Sequence, residues 1–82
     1  MNITEIHIGK LISDEITRQG HTNEWFSNRI GVSEQALQRL LSNPSIDSEL
    51  LLHISSVLKT NFFRYYSEAL HSSSNTNNLQ NK

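Results

Sequence analysis

The chain has 82 residues, 35% of them hydrophobic, a formal net charge of −1 at pH 7 and no cysteine. This length holds one compact domain with one core and excludes a separate catalytic domain, and the lack of cysteine excludes disulfide staples and thiolate metal sites. The near-zero charge argues against a protein that grips nucleic acid chiefly by neutralising phosphates, although a few outward side chains can still read bases.

Ile8, Leu11, Ile12 and Ile16 recur at spacings of three and four, which predicts a helix from about Thr4 to Gln19, stopped by Gly20. A short second helix starts at Thr22 or Asn23, either of which can cap it, turns Phe26 and Ile30 inward and closes at Gly31. Ser33 then offers a new cap, Glu34 suits the positive end of the helix dipole, and Leu37, Leu40 and Leu41 form a third apolar stripe ending at Ser42-Asn43-Pro44. Asp47 caps a fourth helix, with Ile46 and Leu51 placed as a hydrophobic staple and Leu51, Ile54 and Leu58 facing inward. Thr60-Asn61 interrupts the pattern. Phe62, Phe63, Tyr66, Ala69 and Leu70 restart it as an inward stripe running to about His71.

From Ser72 to Lys82 the composition is Ser, Asn, Thr and Gln with Leu79 as the single large apolar residue, too little to offset the entropy of ordering. The expectation is therefore an all-α domain over residues 4–71, built of five helices, followed by a disordered polar tail over 72–82. No apolar run approaches the roughly 20 residues that cross a bilayer, and Met1 to Ile8 lacks the basic-then-apolar order of a signal peptide, so a soluble cytoplasmic protein is expected.

The stretch from Thr22 to Asn43 is the one that bears on function: a short helix, a Gly-centred turn and a Ser-capped helix. Ser27 is small enough to let two helices approach, Gly31 can take the positive φ of a tight turn, and Leu37 and Leu40 fix the second helix from beneath. Glu34, Gln35, Gln38 and Arg39 are left pointing outward. In these residues, from Thr22 through Ser33, then Leu37, Leu40 and Ser45-Ile46 leading to Leu51 through Leu58, the chain resembles the phage-repressor-like (Xre-type) helix-turn-helix family over roughly residues 6 to 70. It departs from that family's habits at Ser27, where Ala is usual, at Leu41-Ser42-Asn43, and at Glu34, where Arg or Gln often stands.

The resemblance implies a five-helix lambda-repressor-like fold and sequence-specific binding of double-stranded DNA in the major groove, as a homodimeric transcriptional repressor. It implies Gln35 and Arg39 as base readers, Glu34 and Gln38 beside them, and Asn23, with the amide end of its helix, on phosphate; Ser33, Ala36 and Asn43 complete the candidate set. The chemistry is compatible: Gln pairs bidentately with adenine, Arg with guanine, Ala36 can meet a thymine methyl, and a carboxylate at position 34 can accept from cytosine.

Other chemistry lacks its residues. His7, His21, His53 and His71 are never three to five apart and have no cysteine beside them, so no metal or cofactor is expected. Asp14-Glu15 and the scattered serines have no paired base or nucleophile elbow, so neither an enzyme nor a small-molecule substrate is expected. Trp25, Phe62, Phe63, Tyr65 and Tyr66 are expected in the core or at a subunit contact, and Arg29 on the plain surface. The alternative to DNA binding is a protein-interaction module that keeps the helical fold.

Overall fold

A computed structural model describes residues 6–74, with side chains to 71. Five α-helices follow one another without a strand among the described residues: α1 Ile8–Arg18, α2 Asn23–Ile30, α3 Glu34–Leu41, α4 Ser48–Leu58 and α5 Phe63–Ser74. The all-α expectation holds. The apolar stripes of the first four helices converge on one core, in which Ile8, Ile12, Ile16, Phe26, Leu37, Leu51, Ile54 and Leu58 are buried together with Phe62. α1 and α2 pack on α3, and α2 packs on α4. No described helix is long and apolar enough to cross a membrane.

Three of the helices begin at the expected caps. Thr22 accepts from the Trp25 amide, Ser33 from Ala36 and Asp47 from Leu50, each occupying one of the donors that a helix start leaves without an internal partner. Ile46 and Leu51 flank the last of these caps, Ile46 half-buried and Leu51 buried.

α1 departs from expectation. It starts at Ile8, not near Thr4; Ile6 and His7 are not helical, and Thr4 and Glu5 lie outside the described residues. The reason is a contact far along the chain: the Ile8 amide donates to the Pro44 carbonyl at 3.0 Å and the Gly9 amide to the Asn43 carbonyl at 3.1 Å. The helix thus begins where the loop after α3 supplies acceptors for its first amides.

α5 departs at both ends. It continues through Ser74, so residues 72–74, expected in the tail, are helical, while 75–82 lie outside the described residues. Its inward stripe also runs differently. Phe62, which precedes the helix, and Ala69 are buried and Tyr65 is half-buried, whereas Tyr66 is 38% and Leu70 63% exposed. Positions 62, 65 and 69 follow the three-then-four spacing of a helix face, and Phe63, only half-buried, stands beside that face.

The ends of α1 and α4 are tied together. Lys59 closes α4 with a left-handed backbone, φ 53°, a conformation that costs an L-residue about 1 kcal/mol. Gln19 Nε2 donates to both the Leu58 carbonyl and Glu15 Oε2 at 2.8 Å, and the Thr60 hydroxyl donates to Leu58 O at 3.0 Å. The Arg18 guanidinium, its Nε 3.0 Å from Glu15 Oε1, together with the Gln19 amide, holds the Glu15 carboxyl at about 2 rather than 4.5.

A carboxyl depressed in this way stabilises the fold fully above pH 4.5 and loses that contribution as the pH falls toward 2. Thermal unfolding of the parent should therefore weaken across that window more steeply than that of Glu15→Gln, which should already melt lower at pH 7. Parallel acid profiles for the two proteins would show that the junction does not carry the effect.

Candidate nucleic-acid interface

The geometry of α2, its turn and α3 follows from four residues. Ser27, 2% exposed, lies on the buried side of α2, and its hydroxyl donates to the Glu24 carbonyl at 3.0 Å. That bond satisfies the hydroxyl within its own helix, which is why serine fits a position that wants a small apolar residue. At the end of α2, Gly31 takes φ 78° and ψ 34°, the left-handed cap that glycine adopts without a Cβ penalty. The Gly31 and Val32 amides both donate to Ser27 O, at 2.9 and 3.0 Å, so the chain reverses tightly before Ser33. Ser33 Oγ then accepts from the Ala36 amide at 3.1 Å, and Leu37 roots α3 in the core.

With Leu37 buried and Leu40 and Leu41 packed on the core, Glu34, Gln35, Gln38 and Arg39 are all exposed. None of these four side chains takes part in an ion pair or side-chain hydrogen bond among the described residues. Their donors and acceptors therefore face solvent ready for an external partner, carrying one negative and one positive charge between them. Ala36 is half-buried beside Arg39, where a shallow groove of about 290 Å³ opens between α3 and the start of α4. Ala36, Leu40, Ile46 and Leu50 line it with apolar surface, and Arg39 and Asp47 are the charged residues in its lining.

The remaining candidates are placed less simply. Asn23 is exposed as the first residue of α2, beside the helix's free amides. Ser33 is exposed but uses its oxygen as a cap. Asn43 has structural work: its backbone carbonyl accepts from Gly9 and its side-chain Oδ1 from the Ser45 amide at 3.1 Å, leaving the side-chain NH₂ as its available donor.

Sequence reasoning missed a ladder that runs from the residues before α2 along the helix. The His21 ring stacks on Trp25 with centroids 3.6 Å apart and planes 8° from parallel, and the Arg29 guanidinium lies over the same indole at 5.0 Å. Trp25 is half-buried and packs against the core, as expected, while Arg29 is exposed and lies over its indole face. The spacing of four from 21 to 25 to 29 is the signal that could have revealed it. Among the described residues no group of His, Cys, Asp or Glu is arranged to hold a metal ion.

Comparison of the chain with family models, curated proteins and solved structures finds no match. The functional reading therefore rests on the residues and geometry of α2 and α3.

Proposed function

We propose that the chain is a helix-turn-helix protein of lambda-repressor-like fold that binds a specific double-stranded DNA sequence and regulates transcription, acting as a homodimer that represses by occupying a promoter. The observation that carries the proposal is the row Glu34, Gln35, Gln38 and Arg39, unpaired and exposed on a helix whose opposite side is anchored in the core behind a glycine turn. An α-helix fits the major groove, where amide and guanidinium side chains distinguish base pairs. Asn23 and the free amides of α2 meet phosphate, and two copies on symmetric half-sites supply the specificity that one helix lacks.

The test is enrichment from a random duplex pool, followed by titration of the selected duplex against the parent and Arg39→Ala at several salt concentrations. A palindrome should emerge, and Arg39→Ala should weaken its binding by about 1–3 kcal/mol and relax preference at one base pair, as loss of a bidentate guanine contact does. With so few cations on this face the salt dependence should be shallow, about −0.9 in log–log slope for each phosphate neutralised.

Equal binding by the variant removes Arg39 from the reading. Retention of no duplex at any salt favours the second reading, a protein-interaction module, for which the groove beside Arg39 and the net charge of −1 speak.

A further inference from the structure

α1 has no Ser, Thr, Asp or Asn at its head. His7 stands there with an extended backbone, φ −116° and ψ 93°, and its Nδ1 accepts from the Lys10 amide at 3.0 Å. An imidazole nitrogen accepts only while it carries no hydrogen, so the cap exists with the ring neutral and its proton on Nε2. The same turn of α1 is the one docked on the loop after α3, through Ile8 to Pro44 and Gly9 to Asn43. Cap and dock share one helical turn.

We infer that His7 is a protonation-sensitive clasp on the docking of α1 to the end of α3. A proton on Nδ1 removes the acceptor for the Lys10 amide and places a positive charge at the positive end of the α1 dipole; both effects loosen the turn that holds residues 43 and 44. On α1 itself Lys10 adds a like charge, and Glu5 lies outside the described residues. The loop opposite, Ser42 to Ser45, has no titratable side chain. Arg39 on α3 and Asp47 at the head of α4 are the first charged groups on either side of that loop, and neither forms an ion pair among the described residues.

Acid therefore favours the unfolded chain, in which a proton on the ring costs no cap. The clasp does not depend on what α3 binds.

The experiment is thermal unfolding of the full chain, parent against His7→Asn, from pH 8 to pH 5.5. Asparagine caps a helix and does not titrate. Between these pH values the parent midpoint should fall by roughly 4 to 8 °C more than that of His7→Asn, since the two proteins differ at position 7 alone. Equal losses overturn the inference. Should His7→Asn not fold, the parent decides by NMR: the Lys10 amide resonance and its hydrogen exchange should follow the titration of the His7 ring, and an amide indifferent to that titration overturns the inference.

Discussion

Gly9→Ala is expected to cost the domain roughly 3 kcal/mol or more, although alanine is the better helix former by about 1 kcal/mol. A Cβ at position 9 would meet the Asn43 carbonyl oxygen at 2.6 Å and the Leu41 carbonyl oxygen closer still. Both obstacles are backbone, so neither can swing aside as a side chain does. α1 must instead slide away from the end of α3, straining the packing and stretching its hydrogen bonds from Ile8 and Gly9 to Pro44 and Asn43. Overpacking costs about 1–3 kcal/mol and each such bond contributes about 1 kcal/mol. Against the total of about 4–12 kcal/mol usual at this chain length, the loss is large. Urea unfolding at neutral pH measures it. A variant as stable as the parent would mean that α1 does not rest on the α3–α4 loop.

That contact also marks where reading the sequence runs out. The caps Thr22, Ser33 and Asp47 are legible because each is a residue type whose side-chain oxygen satisfies helix amides within a few positions. The start of α1 is illegible because its donors are met by His7, an unusual cap, and by carbonyls more than thirty residues away, which no local periodicity encodes. Lys59 is hidden for a related reason: nothing in a lysine announces a left-handed cap, and the network of Gln19, Thr60 and Leu58 O that surrounds it is assembled by folding.

Within the candidate interface, the outward row on α3 is legible because it is the complement of the apolar stripe. What the periodicity omits is the labour of Asn43, whose carbonyl accepts from Gly9 and whose side-chain oxygen accepts from the Ser45 amide. The groove beside Arg39 is equally silent in the sequence, since Ile46 and Leu50 reach it from beyond a proline-containing loop.

Phe62→Ala is expected to cost about 3–5 kcal/mol, the usual loss for truncating a fully buried phenylalanine. Phe62 is 0% exposed, its amide donates to Ser55 Oγ at 3.4 Å, and its ring packs 6.3 Å from that of Tyr65, so it pins the link between α4 and α5 to the core. Phe63 is an adjacent residue of the same type and serves as the control. It is half-buried at the start of α5, and its truncation should cost roughly half as much, in proportion to the apolar area it removes from water.

Sequence periodicity gives the two rings equal claim on the core, because a helix begun one residue earlier or later exchanges their positions. Thermal unfolding of both variants at two protein concentrations resolves the order. The Phe62→Ala loss acts inside one domain and should be the same at both concentrations, whereas a loss that depends on concentration would place the ring at a subunit contact. A Phe63→Ala protein less stable than Phe62→Ala would reverse the face of α5 that meets the core, and with it the exposure of Tyr66 and Leu70.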